Sequence, residues 1–94
     1  MKFQSYDLGN RASGDTVRVT LSGSAANVCL MDSGNFQNYR SGHEFRYTGG
    51  YKTHSPVSLQ VPHAGHWYVT IDLGGHVGSV RSSIQVFEAT AARG

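Results

Sequence analysis

The chain has 94 residues, enough for one hydrophobic core and too few for two. Twelve glycines, five tyrosines and a charged share of only 15% favour β structure and exclude a coiled coil or a long helix. The formal net charge is +2 and the eight Lys and Arg residues form no basic run, so binding to nucleic acid is not expected.

Neither a membrane span nor a secretory signal is predicted. No run approaches the roughly 18 apolar residues that a spanning helix needs, so no membrane contact is expected. Residues 1–7 lack the apolar stretch of a signal peptide, and we therefore expect a soluble, cytoplasmic protein. The single cysteine, Cys29, lies in an apolar run and is expected to be a buried, unreactive thiol.

Short runs in which every second residue is apolar, closed by Gly, Asn, Asp, Ser or Pro, predict about eight strands. They cover residues 3–8, 16–22, 27–32, 43–48, 51–54, 57–61, 67–73 and 79–88. No helical pattern separates them, which predicts an all-β fold, a two-layer antiparallel β-sandwich with jelly-roll-like or Greek-key connectivity. We expect a single domain over residues 1–88 and a frayed tail at 89–94.

Three of these strands have distinct expected positions. The 27–32 run is apolar on both faces, which predicts a strand covered on both sides. Pro56 and Pro62 flank the 57–61 run and predict a short edge strand, because proline cannot donate a ladder hydrogen bond. The 67–73 run, which begins at Trp67, is the longest clean alternation and is expected at the centre of the sandwich.

The polar segment 33–42 follows the third predicted strand. One helical turn over 36–40 would place Phe36 and Tyr39 on the same side, because they are three residues apart. We expect the two rings to plug the open end of the sandwich, and the alternative is that they form a platform for a ligand. Asp32 and Asn35 are expected to cap a turn through side-chain to backbone hydrogen bonds, in preference to binding calcium with Asp72.

Several segments resemble one known family. They read YDLG at 6–9, VRVTL at 17–21, NVCLMD at 27–32, Asn and Tyr at 35 and 39, and GHWYVTIDLGG at 65–75. They resemble a small bacterial family of uncharacterised domains, which occur alone or beside a TIR-like domain. The resemblance covers nearly the whole chain and implies an all-β fold and a bacterial origin, but no activity and no catalytic residues. A weaker likeness, in pattern only, is to the β-sandwich modules attached to secreted peptidases.

His63, His66 and His76 are the candidates for a metal site. The first two have the spacing of a pair, but Gly65 between them argues against a helix that would align them, and closed zinc sites usually have four ligands. Surface or turn histidines are the favoured interpretation. No Gly-x-Ser-x-Gly, His-Glu-x-x-His or phosphate-loop motif is present, so neither an enzyme nor a cofactor is expected.

Surface recognition is the function class that the composition favours. Asn35, Tyr39, Arg40 and Tyr68 are the candidate ligand-binding residues, because aromatic, cationic and amide side chains bind by stacking and flat contact. The first hypothesis is a non-catalytic interaction module that binds a protein partner or its own copy through a sheet face or edge. The second is a small-ligand or glycan-binding sandwich that uses the 33–42 and 74–78 loops. A metal-dependent enzyme built from the histidines is the least favoured.

Overall fold

A computed structural model of the chain describes residues 3–89. These residues form seven β-strands and one helix, arranged as two antiparallel sheets. In chain order the elements are β1 Phe3–Arg11, β2 Thr16–Gly23, β3 Ala26–Asp32, α1 Ser33–Arg40, β4 Thr48–Lys52, β5 Val57–Gln60, β6 Gly65–Asp72 and β7 Val80–Phe87. The predicted all-β sandwich is confirmed, with seven strands in the described residues in place of about eight.

The two sheets have the orders β1-β6-β3-β4 and β5-β2-β7. β6 lies between β1 and β3, so the central position predicted for the 67–73 run is confirmed. β5 pairs with β2 and lies at the edge of its sheet, as the flanking prolines predict. The jelly-roll or Greek-key connectivity stays a prediction.

The main core lies between the sheets and consists of side chains at alternate strand positions. Fully buried, each contributes about 1.5 to 3 kcal/mol relative to an exposed side chain. Those buried here include Val17, Val19, Val28, Leu30, Val57, Val61, Trp67, Val69 and Ile71.

A second, smaller core lies on the outer side of the four-stranded sheet, under α1. Phe36 and Tyr39 of the helix pack against Cys29 and Met31 of β3, and all four are buried. β3 is therefore covered on both sides, as its doubly apolar sequence predicts. The expectation that Phe36 and Tyr39 plug the open end of the sandwich is wrong, because the residues they contact point away from the space between the sheets.

The helix begins where the sequence predicted a cap. Asp32 is the N-cap residue, and its side chain accepts a hydrogen bond of 2.9 Å from the backbone N–H of Asn35. This bond satisfies one of the unpaired N–H groups of the first turn. The predicted single turn over 36–40 is in fact an eight-residue helix. The described part of the chain has no helix long and apolar enough to cross a membrane.

The strand predicted at 43–48 is wrong, because residues 43–47 have no regular secondary structure. The backbone N–H of Arg46 donates to the side-chain carbonyl of Asn35 at 2.7 Å, and not to a neighbouring strand. The alternation of Phe45 and Tyr47 instead reflects aromatic contact, since their ring centroids are 5.4 Å apart and Phe45 is 5.0 Å from Tyr39.

β4 replaces the weak strand expected at 51–54 and includes two glycines. Gly49 and Gly50 have φ values of 119° and 140°, which favour glycine. A Cβ atom at Gly49 would overlap the carbonyl oxygen of Val28 on β3, whereas one at Gly50 would meet open space. Gly49 therefore allows β4 to approach β3 closely.

The end of β7 is tied back to the start of β2. The backbone N–H of Ala89 donates to Asp15 Oδ1 at 2.7 Å, and Ala12 N–H donates to Oδ2 at 2.9 Å. The bond from Ala89 and, to a smaller extent, the bond from Ala12 hold the pKa of Asp15 below its usual value. Ala89 is the first residue of the tail predicted at 89–94, and residues 90–94 lie outside the described part of the chain.

Candidate binding surfaces

Two of the predicted ligand-binding residues belong to a stack of side chains on α1 and β6. The Arg40 guanidinium lies 5.6 Å from the centre of the Phe36 ring, which stacks on Tyr68 at 4.0 Å and 9°. Tyr68 in turn stacks on His66 at 5.0 Å and 23°. Such pairs contribute about 0.5 to 1.5 kcal/mol beyond area burial, so the stack helps to hold α1 on the sheet.

Tyr39, the third predicted binding residue, is 6% exposed. Its hydroxyl donates a 2.7 Å hydrogen bond to Asp72 Oδ2, and Asp72 Oδ1 also accepts from the Asn27 side chain and the Gly74 N–H. Burial is the main cause that raises the pKa of Tyr39 above its usual value, and the hydrogen bond to Asp72 adds to it. The ring of Tyr39 therefore offers no open face to a ligand.

A histidine–carboxylate pair lies at the surface between β1 and β6. His66 Nε2 is 2.6 Å from Asp7 Oδ1, which also accepts a hydrogen bond from the Gly9 N–H. The Gly9 N–H, followed by the His66 side chain, lowers the pKa of Asp7. Because the folded-state pKa of Asp7 is depressed, the stabilisation from the hydrogen bonds that Asp7 accepts is present above the usual aspartate value and is lost as the pH falls through the lower folded-state pKa.

The three histidines considered as metal ligands do not come together. His63 lies just before β6 and contacts Trp67, whereas His76 follows the other end of β6, roughly 23 Å away for an eight-residue strand. Within residues 3–89, no three His, Cys, Asp or Glu side chains are arranged to hold a metal ion. The extended strand β6 separates His63 from His76, although the two are only 13 residues apart in the sequence.

The predicted 33–42 and 74–78 loops each contribute a residue to a cavity. Asn35 contributes to a cleft of about 360 Å³, and Gly78 contributes to a separate one of about 290 Å³. The first lies where the start of α1, the 46–48 segment and the turn before β6 meet. We call it the cleft, and the side chains that define it are Asp32, Asn35, Arg46, Tyr47, His63 and Trp67.

Within residues 3–89, no element covers the outer side of the three-stranded sheet, in contrast to the outer side of the other sheet. Nine of its ten side chains are exposed and Thr16 is half-buried. We call it the open face, and its positions are Thr16, Arg18, Thr20, Ser22, Ser58, Gln60, Arg81, Ser83, Gln85 and Phe87.

The open face is cationic. Its only charged side chains are Arg18 and Arg81, and none of its ten positions is Asp or Glu. The Arg18 guanidinium lies 4.8 Å from the centre of the Phe87 ring, which is 44% exposed. A cation over an aromatic ring is attracted by the ring quadrupole, so this pair presents a preformed flat surface.

A family model for a domain of unknown function, DUF1883, matches residues 1–90. The chain belongs to this family. No curated protein and no solved structure matches the chain. The match confirms the resemblance to a family of uncharacterised domains, while the TIR-like neighbour and the bacterial origin stay predictions.

The open face of this DUF1883 domain is not among the surfaces that the sequence predicted. Tyr68, a predicted ligand-binding residue, lies on the side of β6 that α1 covers, and Thr70 on the same side is 0% exposed. The sequence signal for the open face is the set of polar residues that alternate with apolar ones on β2, namely Arg18, Thr20 and Ser22. That pattern does not indicate on which sheet α1 packs.

Proposed function

We propose that this DUF1883 domain is a non-catalytic module that binds an acidic segment of a protein partner on the open face. The observation that carries the proposal is a flat, exposed and cationic sheet surface with no acidic side chain among its ten positions. Potentials across an interface are complementary, so a face of this sign favours an acidic partner.

The side-chain types on the open face support the same conclusion. Arginine and aromatic residues are enriched at interfaces and at their energetic hot spots. Arg18 and Arg81 carry guanidinium groups that bind carboxylates through two parallel hydrogen bonds, and Phe87 adds exposed apolar surface. The hydroxyl and amide side chains around them supply further donors and acceptors.

The size of the open face supports a peptide segment over a second copy of the chain. Three strands, of which the longest have eight residues, make a surface of roughly 24 Å by 14 Å. This outline is small beside an interface to which each partner contributes roughly 800 Å² of accessible surface. An extended or looped segment of a partner fits this area.

The non-catalytic part of the proposal is supported by the roles that potentially reactive groups already have. Asp72 accepts three hydrogen bonds within the fold, and Asp15 fastens the end of β7. Burial raises the pKa of the Cys29 thiol to about 11, so little thiolate forms at neutral pH. These groups stabilise the domain and are not free for chemistry.

The test is fluorescence anisotropy with a labelled peptide that alternates glutamate and phenylalanine. We expect saturable binding that weakens as the NaCl concentration rises, because the contact is between exposed charges. The double variant R18E/R81E should lose binding. The matched control K52E/R46E makes the same change in net charge away from the open face and should keep it.

Three results would overturn the proposal. One is equal binding of the peptide by both double variants, which would place the contact elsewhere. Another is preferred binding of a single-stranded RNA over the acidic peptide. The last is a dimer of the wild-type chain in sedimentation that R18E/R81E converts to a monomer, since the occupant would then be a second copy.

A further inference from the structure

We infer that the cleft is a binding site for a neutral saccharide. This inference is independent of the proposed function, because the cleft is formed by α1, the 46–48 segment and the turn before β6, and shares no residue with the open face. The argument rests on unused polar atoms, a supported aromatic ring, the charge balance and the size of the cleft.

Polar atoms without a partner among the described residues line the cleft. Asp32 accepts both of its hydrogen bonds, from the backbone N–H and the side-chain amide of Asn35, through Oδ1, which leaves Oδ2 unused. Arg46 donates only its backbone N–H, to Asn35 Oδ1, so its guanidinium is unused as well. A ligand rich in hydroxyl groups matches this set, because each hydroxyl both donates and accepts.

An aromatic ring stands beside these atoms and is held in place from behind. Tyr47 is 51% exposed, and its ring centroid lies 5.4 Å from that of Phe45. Phe45 packs edge-on against the buried ring of Tyr39 at 5.0 Å. The apolar face of a sugar ring can stack on such a supported ring at little cost in side-chain entropy, since Tyr47 is already ordered by its contacts.

The charges in the cleft favour a neutral ligand over an anion. The formal charges of Asp32 and Arg46 cancel, and an anionic ligand drawn to Arg46 would also meet the Asp32 carboxylate. Trp67 and Leu30 also line the cleft, and the Trp67 indole N–H donates to the His63 carbonyl at 3.0 Å. These two side chains add no charge to the cleft.

The size of the cleft fits one or more sugar rings. Its volume of about 360 Å³ lies within the roughly 300 to 1,000 Å³ of small-molecule sites. A neighbouring cavity of about 390 Å³ shares Asn35 and Arg46 with the cleft and adds Asn38 and Glu44. The shared residues place the two cavities side by side, which leaves space for a second sugar ring.

The experiment titrates the purified chain separately with maltose, cellobiose, lactose and chitobiose and follows Trp67, the only tryptophan, by fluorescence and by its indole N–H signal in NMR. We expect a saturable change with at least one disaccharide. Y47A should weaken binding roughly tenfold through loss of the stacked ring. Y51A removes a tyrosine that is 66% exposed outside the cleft and should bind as the wild type does.

Circular dichroism of both variants establishes that they are folded. Absence of a saturable change with all four disaccharides overturns the inference, as does equal weakening by Y47A and Y51A. Tighter binding of glucuronate than of glucose overturns the preference for a neutral sugar. R18E/R81E should leave saccharide binding unchanged, so failure of this inference and failure of the proposed function are distinguishable.

Discussion

Cys29 illustrates, at the scale of one residue, how burial controls chemistry in this domain. Its side chain is 5% exposed and lies in the core under α1. Burial is the main cause of the rise in its pKa to about 11, and the nearby Asp72 carboxylate adds to it. The neutral thiol is therefore favoured in the folded state, which links Cys29 to stability at alkaline pH.

Cys29 should make the protein less stable as the pH rises above 9. The folded-state pKa is raised above the usual thiol value of 9.0, so the stabilisation is complete below pH 9 and is lost as the pH rises towards 11. Urea unfolding at pH 8 to 10 should show a free energy of unfolding that falls with pH. The fall should be shallower in Cys29→Ala, and an identical slope in both proteins would contradict the assignment.

Gly49 and Gly50 are adjacent residues with positive φ that differ in their surroundings. Gly49→Ala combines backbone strain with overlap of the Val28 carbonyl, and we expect it to lower the free energy of unfolding by at least about 3 kcal/mol. Gly50→Ala meets open space and should lower it by about 1 to 2 kcal/mol. Urea denaturation measures both values, and equal effects would mean that β4 does not approach β3 as closely as described.

At the scale of elements, α1 is the feature that a simple two-sheet sandwich lacks. Its attachment combines ring packing with a buried hydrogen bond from Tyr39 to Asp72, residues that are 33 positions apart. Asp72 also holds the turn after β6 through the Gly74 N–H. The helix and the end of the central strand are therefore stabilised through the same carboxylate.

Tyr39→Phe should separate this hydrogen bond from ring packing. A hydrogen bond to a charged group contributes about 1.5 to 3 kcal/mol, and we expect the variant to be less stable by about 2 kcal/mol. Tyr51→Phe removes the hydroxyl of an exposed ring and should change stability by less than about 0.5 kcal/mol. Thermal or urea unfolding of both variants checks the difference, and equal stabilities would show that Asp72 does not hold α1.

Features that depend on neighbouring residues could be predicted from the sequence, and contacts between residues far apart in the chain could not. The Asp32–Asn35 cap and the alternation in β2 and β6 depend on residues a few positions apart, so pattern alone predicted them. The alternation of Phe45 and Tyr47 suggested a strand, but Phe45 packs on Tyr39 and Tyr47 packs on Phe45 outside any sheet. The cleft and the open face depend on where α1 and the turn before β6 come to lie, which no local pattern specifies.

At the scale of the whole molecule, the two sheets have unlike outer sides. The four-stranded sheet is covered by α1, so its aromatic residues stabilise the fold. The three-stranded sheet has no such layer within residues 3–89 and presents Arg18, Arg81 and Phe87. This asymmetry is the basis of the proposal that the domain binds an acidic partner.

A charge swap tests that proposal most directly. The glutamate–phenylalanine peptide is compared with a counterpart that has lysine in place of each glutamate, against both the wild type and R18E/R81E. Because exposed charge complementarity governs the contact, we predict that the wild type binds the glutamate peptide and that the variant binds the lysine peptide. Unchanged preference for the glutamate peptide in R18E/R81E would contradict the assignment of partner binding to the open face.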